Sequence, residues 1–352
     1  MLQSSFLIPH NSQLYMQRAL QLARLGAGVV SPNPMVGCVI VHKGKIIGEG
    51  WHKEYGEAHA EVNAVNSIFN KSILSESEVY VTLEPCSHFG KTPPCADLLI
   101  IHKVKKVYVC NGDPNPLVAG KGIEKLRQAG IEVEIGLLEK EGRELNKRFF
   151  TFIEKERPYI FLKWAESADG FIAKPNYESV QISNLLSRRF VHKMRSEEAG
   201  ILVGTNTARY DNPKLDVRFW TGDNPIRVVI DKHLSLPQTH HLLDNSDTTI
   251  FFNYLEEKDI RNNLYFLVPE NTSIIESIIE RLNIIKVQSL IIEGGAILLQ
   301  SFIDLGLWDE AIILKSNQFL GQGINAPKIG KNTDSIENLG DDKKLSFSNS
   351  ER

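Results

Sequence analysis

Apolar residues recur along this chain with two interleaved periods, one helical and one extended. Met16, Ala19, Leu20 and Ala23 fall at i, i+3, i+4 and i+7, which predicts an opening helix from Asn11 or Ser12 as N-cap to Gly26 as the stop. Val36–Val41 and Lys45–Gly48 are short apolar runs split by Gly44, the pattern of a hairpin. Beyond it the two periods alternate. Helix is predicted over Ala58–Phe69, Ala96–Ile101 and Gly122–Ala129, and strand over Glu78–Leu83, Lys106–Cys110 and Ile131–Ile135. Such alternation is that of a sheet covered by helices. Glu139–Arg157 is densely charged and closes with Pro158, which predicts a short helix and then a domain junction. A second alternation starts at Tyr159. Its strands are predicted at Tyr159–Trp164, Gly200–Val203, Ile226–Ile230, Thr248–Phe252, Leu264–Val268, Ser289–Ile292 and Glu310–Leu314, and its helices at Asn184–Arg195, Ser273–Leu282 and Ala296–Leu305. The polar stretch Asp341–Arg352 reads as stopping where a final strand would begin.

A length of 352 residues fits two α/β domains, each with its own apolar core. The balance of 40 Lys+Arg against 43 Asp+Glu, a net charge of −3, argues against a general nucleic-acid binder. No apolar run approaches the roughly 18 residues of a membrane helix. Met1–Phe6 lacks the basic region and apolar core of a signal peptide. Four cysteines make no disulfide framework, so a cytoplasmic protein without a membrane partner is expected. Cys38 and Cys110 fall within predicted strands and read as buried, inert thiols.

The other two cysteines belong to a denser pattern. His59-Ala60-Glu61 is followed by Glu84-Pro85-Cys86 and then by Pro94-Cys95. One imidazole and two thiols are a donor set suited to zinc, and three protein ligands leave a fourth tetrahedral position open, the catalytic arrangement. Zinc lowers the pKa of a bound water from about 16 toward about 7. Glu61, two residues from the candidate ligand His59, is placed to carry a proton from water to a leaving amine. His59 and Glu61 open a predicted helix, Cys86 ends a predicted strand, and Pro94 sits where a first helical residue would, with Cys95 in the first turn. Partial positive charge at a helix start favours thiolate. His-x-Glu with Pro-Cys and a second Cys is the signature of zinc deaminases, except that eight residues separate Cys86 from Cys95 where the common form has two. A closed structural site is the rival reading; it needs a fourth ligand, for which His52, His88, Cys38 and Cys110 are available.

Three longer words surround this pattern: Ser31-Pro32-Asn33-Pro34-Met35-Val36-Gly37-Cys38, Thr82 through Cys95, and Asp113-Pro114-Asn115-Pro116-Leu117-Val118-Ala119-Gly120-Lys121-Gly122. Together they closely resemble the RibD family of bifunctional riboflavin-biosynthesis proteins, a pyrimidine deaminase fused to a reductase. The resemblance spans about residues 10–325 and is denser in the first half; the eight-residue gap is the family's own. It implies a cytidine-deaminase-like three-layer domain over residues 10–150 and a dihydrofolate-reductase-like, NADPH-dependent domain over residues 158–352. The implied reactions are zinc-dependent hydrolytic deamination of a diaminopyrimidinone ribosyl phosphate and then reduction of its ribosyl group to ribityl. Asn33 lies in the Pro-Asn-Pro turn that faces the substrate in this family; read alone, it is equally a turn asparagine satisfied by its own backbone. His52, His88 and Lys91 are further candidates for the sugar or phosphate.

In the second half, the strand Ser289–Ile292 runs into Glu293-Gly294-Gly295 and then a helix from Ala296, a turn through which backbone can approach a phosphate. The full dinucleotide fingerprint is absent, so a plain strand-to-helix turn is the bland reading. The resemblance implies that Ala165, Thr207, Asp211 and the run Gly295, Ala296, Ile297, Leu298, Leu299, Gln300 and Ser301 touch NADPH, and that Ser179, Arg195, Leu215, Arg218 and Glu293 touch substrate. Arg195 and Arg218 offer the fork-shaped cations that suit a sugar phosphate. The chain departs from the family at Ser167-Ala168-Asp169-Gly170, at Asp211-Asn212-Pro213 and at Ser179-Val180-Gln181-Ile182, where Gln181 replaces an aromatic, and its C-terminus is short. A deaminase with a degenerate reductase domain, a deaminase of bases in RNA and a zinc-stabilised scaffold are the rival functions. A homo-oligomer acting on a small-molecule substrate is the expected assembly.

Overall fold

Helix α1 spans His10–Ala23, followed by a 3-10 turn at Arg24–Gly26. It starts ahead of the expected cap: Ser12 lies in its first turn, with its hydroxyl buried 3.2 Å from that of Tyr80. Met16, Ala19, Leu20 and Ala23 are all buried, as their spacing requires. The computed structural model describes residues 10–87, 93–116, 118–178, 180–269 and 271–349, and the chain divides into two compact units, Met1–Lys155 and Glu156–Arg352.

In the first unit, β1 (Gly37–His42) and β2 (Lys45–Trp51) form the hairpin. Lys43 and Gly44 turn between them with φ of 47° and 75°, the two-residue geometry whose twist matches the strands. Strand β2 continues past Gly48, where the sequence pattern ended. Gly50 is a point of close approach: a Cβ there would sit 2.3 Å from the backbone nitrogen of Ala64 in helix α2 (Ala60–Asn66). The missing side chain that weakens the strand pattern is what lets the helix lie on the sheet. There follow β3 (Glu78–Leu83), α3 (Cys95–Ile101), β4 (Lys106–Asn111), α4 (Lys121–Gln128), β5 (Glu132–Ile135), α5 (Glu139–Leu145) and α6 (Lys147–Lys155). The charged stretch thus holds two helices. They part at Asn146, whose buried amide exchanges hydrogen bonds of 2.8 and 2.9 Å with the backbone of Met35.

The sheet order is β2-β1-β3-β4-β5, with β1 antiparallel to β2 and β3 and the last three strands parallel. Alternation along β3 sends Val79 and Val81 into the core beneath α2, α3 and α4, and Tyr80 to the opposite face under α1. Both faces are covered, giving three layers.

The second unit contains β6 (Tyr159–Glu166), β7 (Phe171–Ala173), α7 (Leu185–Glu197), β8 (Gly200–Val203), α8 (Thr205–Asp211), β9 (Ile226–Ile230), β10 (Thr249–Asn253), β11 (Lys258–Ile260), β12 (Asn263–Leu267) and α9 (Ile274–Ile284). It closes with β13 (Ser289–Ile292), α10 (Ala296–Asp304), β14 (Glu310–Lys315), β15 (Ile324–Asn325), β16 (Ser335–Leu339) and β17 (Asp342–Ser348). Ten strands order as β11-β12-β10-β9-β8-β13-β6-β14-β17-β16, parallel from β12 to β14 and antiparallel at the margins. Ile160, Leu162 and Ile292 face one core, and Phe161, Ile201 and Ile291 the other. Burial on both faces explains the unbroken apolar runs of β8 and β13.

One expectation is overturned. Asp342–Ser348 is a strand, registered on β14 from Glu310↔Ser348 to Lys315↔Lys343. Its sequence is polar because only alternate residues face the core, Phe347 and Leu345 among them, while buried Asp342 accepts hydrogen bonds from Asn184 and Ser187. Among the described residues, no helix is long and apolar enough to cross a membrane.

Candidate active sites

His59 is the residue immediately before α2, in extended backbone, and Glu61 occupies the first turn, 3% exposed. Cys86 lies just past the end of β3 and Cys95 opens α3. The three element ends converge: His59 Nδ1 is 3.3 Å from Cys95 Sγ and 3.6 Å from Cys86 Sγ, and the three donor atoms lie within 4.8 Å of one another. Zinc bonds of about 2.3 Å to sulfur and 2.0–2.1 Å to nitrogen, set at a tetrahedral angle, separate donors by roughly 3.6 Å. The residues present therefore fit the metal.

The electrostatics agree. Cys86 is held well below the ordinary thiol range, first by a hydrogen bond from Cys95 and also by His59, while Cys95 is pushed up. The backbone N–H of Cys95 also points at Cys86 Sγ, at 3.3 Å. Burial, followed by the Cys86 charge, raises the Glu61 carboxyl to about 7. A carboxyl near neutrality can both accept and return a proton.

The rival closed site finds no fourth member among the described residues. Both nitrogens of His52 are engaged: Nδ1 is 3.2 Å from the carbonyl oxygen of Ala58, which only accepts, so it carries the proton and Nε2 accepts from Asn33 Nδ2 at 3.1 Å. Cys110 Sγ is 3.0 Å from the Leu138 carbonyl, and Cys38 is fully buried in the sheet. The His52 ring stands edge-on to His59, 5.6 Å between centroids, so Asn33 and His52 form one wall beside the zinc donors. His88 and Lys91 lie outside the described residues.

The second unit carries an open cavity of about 710 Å³. Ala165, Thr207, Asp211, Glu293, Gly295, Ala296, Ile297, Leu298, Leu299 and Ser301 all line it. Gln300 is on the far side of α10, its amide bonded to Asp304. Ser179 lies outside the described residues. Gly294 presses its backbone on α8, since a Cβ there would meet Thr207 Cγ2 at 2.6 Å. That contact lets the turn and α8 form one continuous wall, a shape suited to an extended dinucleotide.

The expected arginines stand differently. Arg195 is 11% exposed and gives its fork to Glu293, with bonds of 2.9 and 2.7 Å, and a third to the Asp216 carbonyl. Arg218 is exposed and paired with Asp216, while Leu215 is buried in the core with φ of 56°. None of these three lines the cavity. Lys163, which the sequence reading passed over, does; its ammonium lies 3.7 Å from Glu293. A lysine inside the apolar run of β6 was the available signal. Burial pushes Glu293 up, but Arg195 and Lys163 outweigh it and hold the carboxyl at about 2. Tyr177 and Tyr210 also line the cavity, their rings stacked at 4.5 Å, near Gln181.

Comparison with known proteins matches both halves. Residues 9–111 match the cytidine and deoxycytidylate deaminase zinc-binding region, and residues 158–349 match the RibD C-terminal domain. The riboflavin biosynthesis protein RibD of Aquifex aeolicus is 39% identical over 95% of this chain and 97% of its own length. The chain belongs to the RibD family. The RibD of Escherichia coli is 37% identical over 88% of each chain. A crystal structure from Thermotoga maritima, described as a diaminohydroxyphosphoribosylaminopyrimidine deaminase/5-amino-6-(5-phosphoribosylamino)uracil reductase, superposes with a TM-score of 0.87 at 34% identity, over 96% of this chain and 99% of that one. Membership makes this a bifunctional enzyme of riboflavin biosynthesis, with a zinc-binding deaminase domain and an NADPH-dependent reductase domain. With both domains matched, a deaminase-only protein is the less favoured reading.

Proposed function

We propose that the N-terminal unit replaces the ring amine of a diaminopyrimidinone ribosyl phosphate with oxygen, and that the C-terminal unit then reduces the ribosyl group of that product to ribityl. The observation that carries this reading is the meeting of His59, Cys86 and Cys95 beside the buried carboxyl of Glu61. His59, Cys86 and Cys95 would hold zinc, which supplies the Lewis acidity that makes water nucleophilic near neutral pH. Glu61 accepts the proton of the attacking water and returns it to the departing ammonia. Asn33 gives one amide N–H to His52, which leaves its carbonyl oxygen and second N–H for the polar edge of the pyrimidine.

In the C-terminal unit NADPH supplies the hydride. Ala165, Thr207, Asp211 and the cavity-lining residues of the 295–301 turn and helix would face it. Glu293, kept ionised by Arg195 and Lys163, is a fixed acceptor for the sugar hydroxyls. Arg195 then serves substrate by holding Glu293 and the Asp216 carbonyl, and Leu215 and Arg218 serve through the segment that carries them. Under this reading residues 10–150 carry deamination and 158–352 reduction, in keeping with the two compact units. Four free cysteines support a cytoplasmic setting. A homo-oligomer is part of the same reading, and light scattering of the purified chain tests it.

The deciding experiment is product mass after incubating zinc-loaded protein with the diaminopyrimidinone ribosyl phosphate, without and then with NADPH. Exchange of amine for oxygen in the first tube and a gain of two hydrogens in the second are the expected results. No change in either tube, with zinc bound, would sink the proposal.

A further inference from the structure

We propose that Glu84 is a positioning residue for the metal site, holding Cys86 in place without touching it; this rests on the reading that His59, Cys86 and Cys95 bind zinc. Glu84 directly follows β3 and is 4% exposed. Its carboxylate accepts four backbone N–H groups: Oε1 from Gly122 at 2.9 Å and Ile123 at 3.2 Å, and Oε2 from Gly120 at 3.0 Å and Asp113 at 3.3 Å. Its own N–H bonds to the Asn111 carbonyl at 2.9 Å. A buried carboxylate is tolerated only with such a set of donors, and here all four come from residues 113–123, including the first turn of α4.

The clamp continues toward the metal donors. A Cβ on Gly122 would lie 1.9 Å from the Pro85 carbonyl oxygen, so α4 and the turn leaving β3 are in direct backbone contact. One residue further, the Cys86 carbonyl accepts from the Ala96 N–H at 3.1 Å and the Cys86 sulfur from the Cys95 N–H at 3.3 Å. A displacement of Pro85 therefore carries to the seats of both sulfurs. Metal donors tolerate errors of only about 0.2 Å, and loss of an outer-shell partner typically costs 10–100-fold in metal affinity.

The test uses the zinc-loaded full chain, its zinc released into a chromophoric chelator, beside denaturant unfolding of the metal-free form. Glu84→Gln, which turns an amide onto backbone N–H groups, is expected to release zinc about 10–100-fold faster. Gly122→Ala is expected to act in the same direction. Met16→Ala, in the core under α1 on the other face of the sheet, provides a variant that loses stability while releasing zinc at the wild-type rate. If Glu84→Gln releases zinc no faster than Met16→Ala, Glu84 only stabilises the domain and the proposal fails. Hydrogen exchange of the wild type needs no variant: removing zinc should speed exchange at Gly120, Gly122 and Ile123, and unchanged exchange would overturn the coupling. A wild type that takes up no zinc defeats the metal reading itself, whereas normal uptake with unaltered release defeats the Glu84 assignment alone.

Discussion

In the N-terminal unit the chemistry gathers around His59, with both sulfurs within 3.6 Å of one ring nitrogen, whereas in the C-terminal unit it spreads over a cavity of about 710 Å³ with walls drawn from Lys163 to Ile324. A metal ion needs few donors at short range, so the ends of rigid elements can supply them. A dinucleotide and a sugar phosphate need a long surface, and much of that surface is backbone. The first site should therefore fail chemically when one side chain changes, with folding intact. The second should fail through binding or stability.

The sharpest test of that contrast is Glu61→Gln. Deamination should fall by about 10²–10⁴-fold, with zinc content and reduction of the already deaminated substrate unchanged. Product mass and metal analysis on the same sample check it. Chelation should abolish deamination reversibly and spare the reductase, and a reductase that also fails would break the separation of the two sites.

Arg195→Ala is the matching test in the second unit. Arg195 and Glu293 have side chains only 11% and 7% exposed, and removing one partner of a buried pair costs about 3–5 kcal/mol. Denaturant unfolding should show that loss in the C-terminal unit, with deamination preserved. The same pair sets an acid limit. Glu293 sits at about 2 in the fold against an ordinary 4.5, so its stabilisation is complete above about pH 4.5 and lost as pH falls through about 2. Glu293→Gln should flatten that part of the acid-unfolding curve. The smallest effect belongs to Gln181→Trp, which sets an aromatic beside the stacked Tyr177 and Tyr210; the KM for NADPH should fall by roughly threefold to fivefold, a fraction of the stacking range.

The contrast also explains what was readable in the chain. His59, Glu61, Cys86 and Cys95 stand out because a metal site needs particular side chains, and the strands that place them, such as Glu78–Leu83, carry clean apolar runs. The hydrogen-bonding of Glu84 was not readable, since its partners are backbone amides 29 to 39 residues away in sequence. Lys163 was missed because one charge in an apolar strand reads as an interruption until Glu293 and Arg195 are seen around it. Strand β17 was missed because only Leu345 and Phe347 of its seven residues are apolar, and its buried Asp342 is satisfied by Asn184 and Ser187, which the sequence does not show. Strands β7, β11 and β15 are two or three residues long, too short for any period to register, and helix α8 carries one buried residue, Ala208, to mark a face.

The close approach at Gly50 has a consequence for how this enzyme tolerates variation. Helix α2 begins one residue after His59 and meets the sheet through bare backbone, with 2.3 Å between Ala64 N and the place where a Cβ would be. A random library selected for growth without added riboflavin should thus be depleted at Gly50 as severely as at the zinc donors themselves. A single methyl group there lifts the helix and carries the imidazole with it. A map of intolerant positions would then mark a residue that itself binds nothing and carries no reacting group, in a strand pressed on the first turn of α2.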